Sequence, residues 1–280
     1  MLFTTMIRAI RIALIAAVLG GSLTSLAHAG VLRVCSDPDY LPFSNRAGDG
    51  FENKIASVVA KALGDTLVYT WSTTRGPGGY EQFVHDTLDA HKCDVVMDVP
   101  YAVDNVSPTE PYYTSSYVFV FLKKKGYDVT SMDSPILKSV RIGYESETPA
   151  EDGLKIRALT PHGVPFDTSD SPGESPASIL DALESGRIGI AITWEPAIGY
   201  FLRDRKQFAV VGVPNSRSQG APEQYAFPMS MGARLKDTQT RDRLDSVIKT
   251  HKSALDAILE QYGVKLYKPQ VAMIGGDTVR

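Results

Sequence analysis

Residues 31–63 read VLRVCSDPDYLPFSNRAGDGFENKIASVVAKAL, and this stretch decides the fold. The apolar run at 32–35 predicts a strand, and a polar turn and the Gly-rich bend at 48–50 lead from it into a helix. The apolar residues of this helix have the spacing of a buried amphipathic face: Phe51, Ile55, Val58, Val59 and Leu63. Gly64 is typical of a left-handed helix cap. Ligands of open α/β sheets bind beyond the carboxyl ends of the strands, which here is the turn after Cys35.

The alternation of strand and helix continues along the chain. Apolar and β-branched runs predict further strands at 67–71, 94–99, 116–122, 140–144, 188–193, 208–213 and 225–232. Helical periodicity and capping residues predict helices at 80–90, from 148, from 175 and at 238–262. The order β-α-β-α-β at the start implies right-handed crossovers and a parallel sheet. Pro228 restricts its strand to an edge or a crossing position.

The first 29 residues have the features of a secretory signal peptide. Arg8 and Arg11 precede an apolar run, Ala27-His28-Ala29 is an A-x-A cleavage signature, and no acidic residue occurs before Asp37. The apolar run is too short for a membrane anchor. We therefore predict cleavage after Ala29, a periplasmic location and no stable membrane insertion of the mature chain.

Composition narrows the classes of function. Removal of the signal takes the formal net charge from −3 to −5 over the remaining 251 residues. Mild acidity argues against a nucleic-acid partner, and a chain of this length can bury a core in one large domain or two lobes. The loop at 75–79 has glycines but lacks the spacing of a phosphate-binding loop.

The stretch that decides the fold resembles the first βα unit of periplasmic solute-binding proteins of the polar amino-acid type. The matching residues are Asp37, Pro42, Phe43, Gly50 and Phe51, and Glu52 replaces an Asp that is common in that family. The resemblance implies a two-lobed α/β fold, the type II periplasmic binding protein fold, with a hinge and an interlobe cleft. Lobe 1 is then 30–117 plus 225–263, lobe 2 is 118–224, and 264–280 is a C-terminal tail.

The predicted cleft lacks the residues with which amino-acid binders of this type hold their ligand. Binders of that type hold the ligand carboxylate with an Arg after the third strand, but no basic residue lies between Cys93 and Lys123. The acidic residue expected after Thr193 is replaced by Trp194, and Glu195 follows it. The sequence therefore predicts a bulky, weakly charged ligand or a segment of another protein.

Ten side chains are predicted to face the cleft or a partner. The aromatic ones are Tyr40, Phe43, Phe51, Trp71, Tyr101, Tyr144 and Trp194, and the acidic ones are Asp37, Asp98 and Glu195. For Trp71 and Tyr144, core packing and a cleft role stay open as alternatives. Trp194 and Tyr101 follow the carboxyl ends of strands, which favours the cleft.

Cys35 and Cys93 are the only cysteines, and the predicted compartment is oxidising. Both lie at strands that should be neighbours in the sheet. Cys35 ends its strand and Cys93 begins its own, so their separation is open. A disulfide and two buried thiols both remain possible at this point.

Longer runs make the resemblance more specific. Residues 35–38, 50–55, 92–96 and 111–117 are similar to a subfamily of solute-binding-like proteins encoded with PQQ-dependent methanol dehydrogenases, the MoxJ/XoxJ type. The similarity covers essentially the whole mature chain. It implies a periplasmic accessory of methanol oxidation that assists activation or maturation of the dehydrogenase, in its apo or maturing form, through a wide apolar cleft. A c-type cytochrome system is a further partner that the similarity implies.

Two other classes of function are compatible with the predicted fold. The first is an ABC-transporter binding protein for a small organic solute. The second is an enzyme that uses a cleft carboxylate as general acid, with Asp37, Asp98, Glu145 and Glu195 as candidates. No nucleophile–base pair is recognisable, and His85 and His91 do not share a helix face, so we expect no enzyme activity, no cofactor and no metal site.

Overall fold

A computed structural model describes residues 30–75, 77–168 and 174–267. The predicted signal peptide and the end of the predicted tail, 268–280, lie outside these residues. No helix within the described ranges is both long and apolar enough to cross a bilayer.

The first half of the described chain alternates strands and helices. Its strands are β1 (Val31–Ser36), β2 (Asp39–Tyr40), β3 (Ser44–Asn45), β4 (Thr66–Trp71), β5 (Val95–Pro100) and β6 (Ser107–Pro108). Its helices are α1 (Phe51–Leu63), α2 (Gly79–Val84) and a π-helical turn at His85–Asp89.

The second half repeats the alternation. Its strands are β7 (Tyr113–Leu122), β8 (Ile142–Glu145), β9 (Gly163–Phe166), β10 (Ile190–Trp194), β11 (Phe208–Gly212) and β12 (Ala226–Ala233). Its α-helices are α3 (Pro149–Ile156), α4 (Ala177–Glu184), α5 (Glu195–Leu202) and α6 (Thr238–Gln261). Short 3₁₀ turns occur at Lys123–Lys125, Pro135–Lys138 and Thr160–His162.

The strands are ordered β4-β1-β5-β12-β7-β10-β8-β9, with β6 beside β12 and β11 beside β7. β1 pairs in parallel with β4 and β5, and β8 pairs in parallel with β9 and β10, so two parallel α/β sheets are present. β7 joins them. Tyr113 to Ser116 pair with β12, whereas Tyr117 pairs with Trp194 of β10. β7 therefore belongs to both sheets: its first half pairs within one sheet and its second half within the other.

The residue that caps the start of helix α1, Gly50, has no room for a side chain. A Cβ on Gly50 would lie 2.0 Å from the Phe43 carbonyl oxygen, so only glycine fits. Asn53 Oδ1 accepts hydrogen bonds from the backbone N–H groups of Gly50 (3.2 Å) and Asn45 (3.0 Å). These bonds satisfy donors that a helix start leaves free and fix the turn that leads into the helix.

One detail decides between two predicted alternatives, and two others differ from the sequence prediction. Pro228 does not lie at an edge: β12 is flanked by β5 and β7, which agrees with the crossing alternative. The helix predicted at 80–90 changes to a π-helical turn at His85. Helix α5 was not predicted, although Pro196 in its first turn is a common start signal.

Candidate functional site

A cavity of about 570 Å³ lies at the carboxyl ends of the parallel strands of both sheets. Ser36 and Asp37 reach it from the end of β1, Pro100 from the end of β5, and Trp194 from the end of β10. Such crevices are the usual binding sites of open α/β sheets. The position predicted from residues 31–63 is therefore the position of the cavity.

Most of the cavity surface is apolar and aromatic. The aromatic lining residues are Tyr40, Phe43, Tyr80, Phe83, Tyr117, Trp194 and Phe227. Tyr40 and Phe43 stack with ring centroids 4.8 Å apart. In a second group Trp194 lies 5.4 Å from Tyr117 and 6.0 Å from Phe227, centroid to centroid. Two groups of rings thus form parts of the cavity wall.

Asp37 is held by its surroundings. Its Oδ2 accepts hydrogen bonds from the Thr74 N–H (2.8 Å) and the Thr73 hydroxyl (2.9 Å), and Arg75 Nε lies 3.8 Å away. Arg75 is only 2% exposed, and its guanidinium lies over the Tyr40 ring at 4.6 Å. Its Nη1 donates to the Glu174 carbonyl oxygen at 3.3 Å. Arg75 therefore balances Asp37 and also links the loop after β4 to the chain before α4.

Glu52 and Asp98 place two carboxyl groups close together on the cavity wall. Burial, followed by the nearby Asp98 and Asp37 charges, raises the pKa of Glu52 well above its usual range. Burial raises the pKa of Asp98 to about 7, against the effect of a hydrogen bond that the Tyr113 hydroxyl donates. Asp98 also has φ +57°, in the left-handed region that few residues other than glycine adopt.

Glu145 is the fourth carboxyl group of the lining. Its Oε1 accepts hydrogen bonds from the hydroxyls of Thr193 (3.0 Å) and Thr168 (3.3 Å). Burial raises its pKa despite these bonds. Among the lining residues in the described part of the chain there is no Lys, Arg or His.

The chain is similar along most of its length to proteins of one kind. It is 29% identical over 253 residues to Protein MoxJ of Methylorubrum extorquens, covering 84% of this chain and 81% of the relative. It is 26% identical over 264 residues to Protein MoxJ of Paracoccus denitrificans, covering 90% and 94%. No protein-family model matches the chain.

Two solved structures agree with these relatives. MxaJ from Methlophaga aminisulfidivorans MPT matches with a TM-score of 0.77 and 24% identity, covering 85% of this chain and 100% of that one. The periplasmic binding protein XoxJ from Methylobacterium extorquens AM1 matches with a TM-score of 0.67 and 32% identity over the same shares, 85% and 100%. The chain belongs to the MoxJ/XoxJ-type periplasmic binding proteins. The predicted type II binding-protein fold is confirmed.

Within this MoxJ/XoxJ-type chain, half of the predicted cleft residues line the cavity: Asp37, Tyr40, Phe43, Asp98 and Trp194. The other five lie elsewhere. Phe51 is fully buried in the core, and Tyr101 is 44% exposed on the surface. Trp71 stacks on Tyr69 at 4.6 Å, and Tyr144 is buried in the second core. The core-packing alternative describes Tyr144, whereas Trp71 is half-buried against Tyr69 and Arg46 and lies outside the cavity lining.

Glu195 faces away from the cavity. Its Oε2 accepts hydrogen bonds from the Lys265 backbone N–H (3.2 Å) and the Ser115 hydroxyl (3.4 Å). Burial raises its pKa to about 7. The Tyr267 N–H donates to the Thr114 carbonyl oxygen at 3.1 Å. Glu195 therefore helps to hold residues 264–267 across β7, which corrects its placement in the cleft.

Several lining residues were not among the ten predicted to face the cleft: Glu52, Tyr80, Tyr117, Glu145 and Phe227. Of these, Glu145 was predicted only as a candidate general acid. Tyr117 and Phe227 lie on the two strands that cross between the sheets, β7 and β12. A sequence signal existed for Glu52, because it replaces an Asp that is common in binders of amino acids. For the two crossing strands the apolar pattern alone does not tell a cavity face from a core face.

Cys35 and Cys93 form a disulfide, with their Cα atoms 5.5 Å apart. This separation lies inside the range that a bridge requires. Cys35 also lines the cavity. The open question of bridge or thiols is thereby answered, and the bridge supports the cavity wall at the end of β1.

In the described ranges, no group of three or more His, Cys, Asp or Glu side chains is arranged to hold a metal ion. The four cavity carboxyls do not converge on one point. The arrangement is that of a binding pocket with aromatic and acidic walls.

Proposed function

We propose that the protein is a periplasmic accessory of a methanol oxidation system. It assists activation or maturation of a PQQ-dependent methanol dehydrogenase by holding an exposed segment of that enzyme in its cleft. The observation that carries the proposal is the cavity itself: aromatic walls, four carboxyl groups and no cationic lining residue in the described chain. Membership of the MoxJ/XoxJ-type proteins supports it.

The charge of the cavity argues against an amino-acid nutrient. An amino-acid carboxylate in this cavity would face Glu52 and Asp98 without a counter-charge from the lining residues that the structure describes. Burying like charges together costs several kcal/mol, so such a ligand is disfavoured. Large aromatic surface is what a protein segment or an apolar ligand uses for contact area.

The fold offers a way to close on a partner. β7 and β12 are the two connections between the sheets, and the lobes that we assign, 30–117 plus 225–263 and 118–224, meet at these strands. Two-lobed domains of this kind close by hinge motion. Arg75 supplies a contact between the lobes through the Glu174 carbonyl oxygen.

Trp194→Ala tests the cleft as the binding surface. Because the indole lies in the cavity wall beside Tyr117 and Phe227, we expect its removal to weaken dehydrogenase binding about tenfold. Tyr101→Ala is the matched control, since this ring is exposed and outside the cavity. Native mass spectrometry and biolayer interferometry against apo and holo dehydrogenase give the readout. Absence of any association of the wild-type chain, or equal losses in the two variants, contradicts the proposal.

A second candidate function is an ABC-transporter binding protein for a small organic solute. The cavity volume of about 570 Å³ favours it, because small-molecule sites commonly measure roughly 300–1,000 Å³. A ligand that binds only the folded state raises the melting temperature. A tight hit in a thermal-shift screen of small solutes, together with no dehydrogenase association, would select this function.

A further inference from the structure

The cavity contains carboxyl groups whose charge, when they ionise, its own walls do not neutralise. Asp37 is balanced by Arg75, and Glu145 accepts hydrogen bonds from Thr193 and Thr168. The Glu52 carboxyl group, by contrast, receives no hydrogen bond and no ion pair from any residue that the structure describes. The largest charge effect on its pKa comes from Asp98, whose ionised form has the same sign.

Two further polar groups at this wall lack partners. Ser36 is 3% exposed, and its hydroxyl oxygen has no hydrogen-bond partner among the described residues. The Tyr80 hydroxyl, also buried, has none within the same ranges. Both residues line the cavity. Buried polar atoms without partners are uncommon, and a group bound in the cavity is a physical reason for them.

A cluster of three aromatic rings also lines the cavity. Tyr117, Trp194 and Phe227 lie within 5.4–6.4 Å of each other, centroid to centroid, and all three line the cavity. The negative face of an aromatic ring attracts a cation, most strongly for Trp and when water is excluded. A cavity lined by both carboxyl groups and aromatic rings thus favours one class of ligand.

We propose that the cavity binds an organic cation: an ammonium or guanidinium group on an apolar stem. Glu52 and Asp98 act as its counter-ions, and the rings of Tyr117, Trp194 and Phe227 enclose the stem. A bare metal ion is a poor match, because the lining is mostly apolar and the described residues hold no cluster of metal ligands.

The cation has two possible sources. It is either a free amine or the side chain of a Lys or Arg on the inserted dehydrogenase segment. The second source rests on the proposed function, whereas the first does not. The two share the same recognition chemistry, so one set of probes tests both.

The primary test uses three six-carbon probes of different charge: hexylammonium, hexan-1-ol and hexanoate. We expect isothermal titration on the full mature chain near neutral pH to give hexylammonium an affinity at least about tenfold above that of hexan-1-ol, with hexanoate weakest. Equal affinities for the cation and the alcohol, or preference for hexanoate, overturn the inference.

Charge-removing variants test which carboxyl group binds the cation. Glu52→Gln keeps the size of the side chain and should lower hexylammonium affinity about tenfold while leaving hexan-1-ol binding unchanged. Glu81→Gln removes the same charge from an exposed position on α2 and should leave both affinities unchanged. Equal affinities of wild type and Glu52→Gln for hexylammonium contradict the assignment of Glu52, and a thermal melt confirms that the variant is folded.

Competition between hexylammonium and the dehydrogenase then distinguishes a free amine from a cationic side chain. It also distinguishes failure of the cation proposal from failure of the proposed function. Displacement of bound dehydrogenase by hexylammonium supports a cationic side chain on the inserted segment. Hexylammonium binding without any dehydrogenase association supports a free amine and rejects the proposed function alone. Dehydrogenase binding by a chain that does not distinguish the three probes rejects the cation alone.

Discussion

The Cys35→Ala/Cys93→Ala double variant is expected to lose about 4 kcal/mol of unfolding free energy. The bridge joins residues 58 apart in sequence, and a loop of this size restricts the unfolded chain strongly. Both cysteines are buried, with 2% and 0% exposure, so their sulfur atoms also pack in a core. Urea unfolding at constant temperature measures the change as a lower midpoint.

The control for this prediction is Ser36→Ala. Ser36 is buried beside Cys35, but its hydroxyl makes no hydrogen bond to the described residues, so its removal should change stability by less than about 0.5 kcal/mol. Thiol titration under denaturing conditions gives a second, independent readout. Two reactive thiols in the unreduced wild-type chain, or a double variant as stable as Ser36→Ala, would show that the bridge is absent.

Most of the fold follows from local pattern. Helix α1 and helix α6 have long apolar periodicity, and the buried strand β5 is a near-continuous apolar run, so each was placed within one or two residues. Helix α5 escaped because Gly199 lies inside it and lowers its helix propensity. The structure explains this glycine: a Cβ there would lie 2.5 Å from the Gly263 carbonyl oxygen, across a contact that no local pattern reveals.

The sequence predicted the strand ends that reach the cavity but not all of the side chains that line it. Two of the predicted residues lie one position away from a lining residue. Phe51 is buried in the core while Glu52 lines the cavity, and Tyr144 is in the core while Glu145 lines it. Tyr144 and Glu145 are neighbours on β8, and neighbouring residues of a strand point to opposite faces. Phe51 and Glu52 begin helix α1, where successive side chains are about 100° apart around the axis, so one of them can be buried while the other lines the cavity.

Other parts of the site depend on contacts distant in sequence. The direction of Arg75 is set by Asp37 and by the Glu174 carbonyl oxygen, 99 residues away in sequence. Glu195 lies outside the cavity lining because its carboxylate accepts a hydrogen bond from the Lys265 N–H. Spacing in the sequence carries no information on such pairs, because tertiary packing alone brings them together.

Asp98→Asn is expected to stabilise the protein by about 2 kcal/mol near pH 8 and to have no effect near pH 4. Burial raises the pKa of Asp98 from 3.8 to about 7, so the folded chain holds this proton more tightly than the unfolded chain does. The stabilising effect of the neutral carboxyl is complete below the unfolded pKa and is lost as pH rises through about 7. The expected stabilisation is set at half of the free energy that the whole pKa shift of Asp98 would give, because its carboxyl group is partly exposed and solvent screens its charge.

Asparagine suits the position in two other respects. It tolerates the left-handed region, where Asp98 has φ +57°, and its amide oxygen still accepts the hydrogen bond from the Tyr113 hydroxyl. The titratable groups that interact with Asp98 are Tyr40, Glu52, Tyr80, Tyr112 and Tyr113. Of these Glu52 is the other carboxyl group, so part of the pH dependence remains in the variant.

Asp94→Asn supplies a control of opposite sign, at the residue that precedes β5. Burial pushes the pKa of Asp94 up, but hydrogen bonds from Arg33 outweigh it and the net shift is downward, so this variant should lose stability near pH 8. Thermal melts of both variants at the two pH values decide the matter. A destabilised Asp98→Asn near pH 8, or a gain that does not change with pH, contradicts the account. A more stable protein that binds hexylammonium less tightly is the expected combination, because a binding site retains an unpaired charge at a cost in stability.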